Sequence, residues 1–221
     1  MAKPGPKPKG VVDITWSPDF AYAVGLFTAD GCLSSNGRHL DFTSQDEEQL
    51  ENFVRCLDIE HVKISEKENG RGGRCGRVQF GDVLFYSFLE DIGLTTAKSK
   101  TIGSIDIPDK YFLDFLRGLF DGDGCFYSFW DKRWESSYMF YTVFNSASED
   151  HIDWLRENIN KFIDIRGHIC KSKNSKVYKL KYAKDESMNL LRNMYHSNDI
   201  TYLSRKRLKI KEALAKVDMQ L

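Results

Sequence analysis

A nine-residue stretch occurs twice in this chain. Ala23-Val24-Gly25-Leu26-Phe27-Thr28-Ala29-Asp30-Gly31 recurs as Leu116-Arg117-Gly118-Leu119-Phe120-Asp121-Gly122-Asp123-Gly124, 93 residues later, and a cysteine follows each copy (Cys32, Cys125). Two further landmarks recur in the same order. Ser44-Gln45-Asp46-Glu47 and Ser146-Ala147-Ser148-Glu149, 102 residues apart, read as S-x-x-E capping boxes that open a helix. Thr95–Lys100 parallels Thr201–Lys206 at a spacing of 106. Ordered landmarks of this kind mark a duplicated structural unit rather than chance similarity. The nine extra residues of the second copy fall in the Phe129–Ser137 hairpin. The chain therefore divides into a tail over 1–12, a first half over 13–103 and a second half over 104–221.

Each half reads as helix, two strands, helix, two strands, helix. Pro18 and Asp19 open the first helix, and Gly31 stops it as a C-cap would. Strands follow around Leu33 and Leu40–Thr43, then an amphipathic helix carries Leu50, Phe53, Val54 and Leu57. After a glycine-rich turn, Arg77–Phe80 alternates as a strand and Phe85–Ile92 returns to helical spacing. The second half repeats the order, with Ile152, Leu155 and Ile159 on a helix, a basic hairpin over 169–182, and a helix over 188–195. The fold class is α+β: two pseudo-symmetric αββαββα halves with antiparallel sheets.

The repeated helix has two costly features. Small residues stand at helical spacing (Ala21, Gly25 and Ala29; Gly118 and Gly122), although a mid-helix glycine costs roughly 1 kcal/mol relative to alanine. Close approach of two helix backbones explains them. Asp30 and Asp123 then lie side by side at helix C-termini, where each carboxylate opposes the helix dipole by roughly 0.3–1 kcal/mol. A bound divalent cation offsets both penalties, and oxygen donors with water suit magnesium. Paired carboxylates holding metal beside a phosphate are what metal-assisted phosphodiester hydrolysis requires.

The formal charge is zero, 32 basic against 32 acidic residues, but the distribution is uneven. Between Arg166 and Lys184 there are seven basic residues and no acid, and Arg205–Lys211 forms a second basic cluster. The tail carries Lys3, Lys7 and Lys9 among prolines, as a flexible basic arm. Acids gather instead at 46–51 and 149–153. Segregation of this kind suits a polyanion-binding face. Five cysteines without a CxxC pair point to reduced thiols and an intracellular setting, cytoplasm, nucleoid or organelle matrix. The scattered histidines make a structural zinc site improbable. No apolar run approaches the ~20 residues of a membrane span, and no secretion signal opens the chain.

The two motifs, with the lead-in Ile107–Gly118, resemble those of the LAGLIDADG homing endonucleases in their single-chain, two-motif form. The resemblance runs from about Phe20 to Lys206. It implies a saddle of antiparallel sheets straddling double-stranded DNA, with the motif helices at the central interface of a monomer. It also implies site-specific cleavage of both strands with cohesive 3′ ends, as in intron homing. On this resemblance Asp30, Asp123, Gln45 and Lys98 are the catalytic residues, and Asp30 and Asp123 hold metal with the Ala29 and Gly122 carbonyls. The metal is Mg²⁺, with Mn²⁺ substituting and Ca²⁺ binding without cleavage.

Three positions depart from the pattern. Ala147 stands opposite Gln45, Ser204, Arg205 and Lys206 must cover for Lys98, and Thr28 replaces the acid that Asp121 retains. Unequal strand-cleavage rates are expected. Candidate DNA contacts are Ser34, Asn36, Arg38, Arg77, Gln79, Lys100, Tyr127, Phe129, Lys171, Lys173, Lys179, Lys181, Arg205 and Lys206, since Arg and Gln read purine edges and Lys contacts phosphate or guanine. Trp130 and Trp134 read as loop packing. The alternative is an RNA maturase or DNA-binding regulator on the same scaffold, which has no need of both acids.

Overall fold

The computed structural model describes residues 10–68, 72–134, 137–171 and 177–221. In chain order the first half contains α1 (Pro18–Asp30), β1 (Gly31–Leu33), β2 (His39–Ser44), α2 (Glu47–Cys56), β3 (Ile64–Glu68), β4 (Arg74–Gly81) and α3 (Val83–Asp91). The second contains α4 (Phe112–Asp123), β5 (Cys125–Trp130), β6 (Tyr138–Ser146), α5 (Glu149–Ile163), β7 (His168–Lys171), β8 (Tyr178–Ala183), α6 (Lys184–Met194) and α7 (Ser204–Ala215). The expected αββαββα order appears in both halves. The second adds α7, which carries the basic cluster after Ser204.

Each half builds one four-stranded antiparallel sheet, in the matching orders β1-β2-β4-β3 and β5-β6-β8-β7. Alternation sends Leu33, Leu40, Phe42, Val78 and Phe80 into the first core, and Phe126, Phe140, Phe144, Leu180 and Tyr182 into the second. Phe27, Phe53 and Phe85 from the helices close the first core; Phe112, Phe115 and Phe120 serve the second. No described helix is long and apolar enough to cross a membrane. All five cysteines are free.

α1 begins with Ser17, whose side chain accepts from Phe20 N, and Pro18 follows in the first turn. Its end differs from the expected left-handed cap, because Gly31 is extended (φ −82°). Glycine is needed there for space: a Cβ would press into the Phe27 ring and carbonyl. Gly124 repeats this against Phe120. The capping boxes also sit two residues later than the sequence suggests. The N-caps of α2 and α5 are Asp46 and Ser148. Ser44 and Ser146 instead turn the chain before the cap, their hydroxyls accepting from Asp46 N (3.0 Å) and Ser148 N (3.1 Å).

α1 and α4 meet in the middle of the molecule. A Cβ on Gly25 would strike the Phe115 carbonyl oxygen and lie 2.7 Å from Leu119 N. One on Gly118 would strike the Tyr22 carbonyl and lie 3.1 Å from Leu26 N. The helix backbones are therefore in direct contact, as the small-residue spacing predicts. Beneath them Arg117, fully buried, pairs with Asp114 (2.8 Å) and donates to Met194 O (3.0 Å) and Thr201 O (2.8 Å). Asp121, also fully buried, accepts from Tyr22 OH (2.8 Å), Tyr195 OH (3.1 Å) and Leu203 N (2.8 Å). It is part of the packing between the two halves.

Candidate active site

The glycine contact delivers both α1 and α4 to the same place at their C-terminal ends. A Cβ on Gly122 would lie 3.3 Å from Asp30 Oδ2, so the Asp30 carboxylate lies against the residue preceding Asp123. Both carboxyls titrate above the ordinary aspartate range. For Asp30 burial is the main cause, with the neighbouring Asp123 charge adding to it. For Asp123, partly open to solvent, burial again leads, opposed by Lys206 and Lys98. Two ionised carboxylates are thus held where protein alone disfavours them.

Two lysines flank the pair. Lys98 is buried, donates from Nζ to the Gly31 carbonyl, and lies 5.6 Å from the centre of the Phe27 ring. Lys206 donates to Phe120 O (2.5 Å), Gly124 O (2.7 Å) and Gly122 O (3.1 Å), with its Nζ 5.1 Å from the Phe120 ring centre. Phe27 and Phe120, like Gly31 and Gly124, are equivalent positions of the repeat, so Lys206 is the counterpart of Lys98. Of Ser204, Arg205 and Lys206, the three expected to cover for Lys98, it is Lys206 that takes that place, so the third landmark aligns at a spacing of 108 residues rather than 106. Burial lowers both ammonium pKa values, Lys206 to about 8. Each lysine donates to backbone carbonyls at or just past a helix end, and the Phe120 carbonyl accepts from Gly124 N (2.9 Å) as well.

Gln45 does not join this group. It is exposed and lies near Asp46, Glu47 and Arg205. The side chain at Asp30 is Gln49, whose Nε2 donates to Asp30 Oδ2 (2.9 Å) while its Oε1 accepts from Ser44 Oγ (2.8 Å). With the cap at Asp46, a residue three positions on faces the preceding helix. Locating the cap correctly would have found Gln49.

The donor set suits a hard cation: two carboxylates with the Ala29 and Gly122 backbone oxygens in the same turns, the Gly122 oxygen also accepting from Lys206. No group of three or more His, Cys, Asp or Glu side chains that could hold a metal ion forms among the described residues, here or elsewhere, so the carboxylate pair depends on backbone oxygens and water for further donors.

The expected DNA contacts separate into several classes. On the face of the first sheet away from the core, Arg77 and Gln79 share a side with Asp41, and Arg77 Nε donates to Asp41 Oδ2 (2.6 Å). Gln79, Arg38 and Lys100 are exposed. Asn36 is committed to its turn, its Oδ1 accepting from His39 N (3.1 Å) and Arg38 N (3.2 Å), while Ser34 O accepts from Tyr86 OH. On the second sheet Tyr127, Phe129, Lys179 and Lys181 share the outer face with Tyr141. Tyr127 stacks on Tyr141 at 5.2 Å, and Lys181 Nζ lies 4.7 Å from the Tyr141 ring centre.

Other candidates have different partners. Lys171 points with Ile169 to the opposite side and donates to Tyr178 OH (2.7 Å). Arg205 is ion-paired with Asp46. Lys173 and the tail over 1–9 lie outside the described residues. Trp134, read as loop packing, is 69% exposed.

Two glycine-packed helices, each leading into a four-stranded antiparallel sheet, make up the fold seen in solved structures of LAGLIDADG homing endonucleases. Meganuclease I-SmaMI bound to uncleaveable DNA aligns at TM-score 0.61 and 15% identity, over 90% of this chain and 92% of that one. The LAGLIDADG meganuclease I-AabMI bound to uncleaved DNA aligns at TM-score 0.60 and 15% identity, over 92% and 91%. The fold is shared as well by full-length DUF199/WhiA from Thermatoga maritima, not named as an endonuclease, at TM-score 0.57 and 14% identity, over 96% of this chain and 69% of that one. No family model and no curated protein sequence matches the chain.

Proposed function

We propose that this chain is a metal-dependent, site-specific DNA endonuclease that binds a long duplex as a monomer and hydrolyses one phosphodiester in each strand. The observation that carries this reading is the Asp30–Asp123 pair, brought together at two helix ends where a carboxylate is disfavoured, with Lys98 and Lys206 beside it. A structural role gives no reason to retain both acids. Magnesium, held by Asp30, Asp123 and adjacent backbone oxygens, would supply Lewis-acid activation of water and neutralisation of phosphate charge; manganese is expected to substitute and calcium to bind without cleavage.

The chain's own groups do the positioning. Gln49 fixes the Asp30 carboxylate, and Lys98 and Lys206 place positive charge where negative charge develops on the phosphate. The exposed Gln79 and Arg38, with Lys179 and Lys181 on the second sheet, face outward to read or grip the duplex.

A second reading rests on the stacked Tyr127, Phe129 and Tyr141 on the second sheet. Phe129 is exposed and the two tyrosines half-buried; stacked aromatics open to solvent suit unpaired bases, which favours a non-cleaving RNA or DNA binder. Selection from a randomised duplex library separates the two. Recovery of one long site, cut in magnesium by the unmodified protein but not by Asp30→Asn or Asp123→Asn, supports the nuclease. A site enriched by binding yet never cut in magnesium or manganese removes it.

A further inference from the structure

The two carboxylates are served by different chemistry. Gln49 bonds Asp30 directly. The equivalent position of the second half, 102 residues on, is His151. Its ring is 3% exposed and stacks on Trp154 at 5.3 Å. Nδ1 lies 2.8 Å from the Gly103 carbonyl oxygen. A carbonyl can only accept, so Nδ1 carries the proton. Burial disfavours the imidazolium, which leaves Nε2 as an acceptor with a free lone pair. That atom is buried and has no hydrogen-bond partner.

His151 lines a cavity of about 130 Å³ together with Asp123, Lys98, Asn145 and Ser146. At ~30 Å³ per molecule the space holds a few waters, and although apolar side chains such as Ile102, Leu119 and Phe144 make up much of its wall, Asp123, Asn145 and the His151 ring supply the polar partners a buried water needs. Ala147, in the position opposite Gln45, also lines it and offers no polar group.

We propose that His151 is a water-positioning residue specific to the second half, its Nε2 accepting one hydrogen of a cavity water whose other hydrogen goes to the Asp123 carboxylate. A water that donates both hydrogens in this way presents its oxygen lone pairs outward. In the nuclease reading, on which this role rests, those lone pairs face the phosphate of one strand. The first half has no such arrangement, because Gln49 donates to Asp30 itself. His151 and Gln49 therefore govern opposite strands.

The hydration site is tested first on the metal-free full chain. Nitrogen-15 NMR of the histidine rings is expected to show the neutral, Nδ1-protonated tautomer for His151, and a high-resolution crystal structure a water within about 3.2 Å of Nε2 and of an Asp123 oxygen. A dry cavity, or a proton on Nε2, overturns the proposal. The second arm uses the duplex recovered from the randomised library, with the two strands carrying different labels. His151→Phe keeps the ring volume and removes the acceptor; it is expected to slow one strand about 10- to 100-fold, the range for outer-sphere partners. His151→Gln, which restores an acceptor, is expected to recover much of that loss, and Gln49→Ala to slow the other strand.

Equal slowing of both strands by His151→Phe, or slowing of the same strand by both substitutions, overturns the assignment. If the unmodified protein cuts nothing, the nuclease reading falls and the role in cleavage with it. The NMR and crystallographic arm still decides whether the water is there.

Discussion

Asp123→Asn isolates the tension built into the site. A carboxylate at the end of α4 opposes the helix dipole by about 0.3–1 kcal/mol, and Asp30 adds like-charge repulsion. Lys206 and Lys98 pull the other way, yet the carboxyl still titrates above its ordinary value. The net effect of its surroundings is therefore unfavourable to the ionised form. A raised pKa fixes the sign: the native fold is favoured while Asp123 is protonated, and that advantage is lost as pH rises through the folded-state value. At pH 7.5 the near-isosteric Asn is expected to stabilise the metal-free protein by about 0.5–1 kcal/mol, or about 2–4 °C in Tm at the larger figure for a chain of this size.

The gain should shrink and disappear as pH falls below the ordinary aspartate range, where the carboxyl is neutral in the folded and unfolded chain alike. Asp30→Asn is expected to gain less, since it also weakens a charge-assisted bond from Gln49 of roughly 1.5–3 kcal/mol. Calorimetric melts in EDTA and in magnesium provide the assay. Wild type should rise in Tm with magnesium and Asp123→Asn should not. A lower Tm for Asp123→Asn in EDTA at pH 7.5 would refute the idea that the paired acids are held against the fold's own preference.

Three further outcomes are expected. Gly118→Ala gains about 1 kcal/mol of helix propensity but forces a Cβ into the Tyr22 carbonyl, so a net loss of about 2 kcal/mol or more is expected in urea unfolding; a variant as stable as wild type argues against backbone contact. Asp121, fully buried and pushed up to about 6, is expected to lower stability by up to about 3 kcal/mol as pH rises from 4 to 7. Asp121→Asn should flatten that slope, and an unchanged slope assigns it elsewhere. Lys206→Met removes the ammonium from over the Phe120 ring and its bonds to three carbonyls, of which only Phe120 O keeps another donor, Gly124 N, with an expected cost of about 1–3 kcal/mol, measured by thermal melts at pH 7.

The duplicated motif was readable because its demands are local and severe. Only glycine permits the helix contact, and an aspartate at both helix ends is unfavourable enough to stand out. The sheets were readable from alternation at Val78–Phe80 and Tyr178–Tyr182. What escaped is the choice among similar side chains within one turn. Gln45 and Gln49 differ in where α2 begins, and Asp46 caps that helix with no side-chain bond to advertise it. Lys206 looked like one basic residue among many in Arg205–Lys211; what distinguishes it is a ring and three carbonyls contributed by α4 and its end, more than 80 residues earlier. Arg117 and Asp121 gave no sign of burial, because their partners come from Tyr195, Thr201 and Leu203 at the far end of the chain.

Those long-range partners bear on whether the halves are independent. Ser148 Oγ at the start of α5 donates to Ile102 O (2.5 Å), a residue of the first half. In the reverse direction Ser204 N donates to Glu48 in α2 (3.0 Å), Asn52 Nδ2 donates to Tyr202 O (3.0 Å), and Thr201 Oγ1 donates to Asp19 (2.9 Å). Each half thus lends its last segment to the other's second helix, and α1 buries its small-residue face only against α4. A fragment ending at residue 103 would expose Ala21, Tyr22, Gly25 and Leu26, all now buried, and leave the ends of α2 without their covering strand of chain. Separately expressed halves are therefore expected to be unfolded or aggregated, and to recover native-like near-ultraviolet circular dichroism only when mixed or co-expressed. A cooperative unfolding transition from either half alone would show that the duplication joined two self-sufficient domains, whereas the exchanged contacts argue that the shared site and the fold form together.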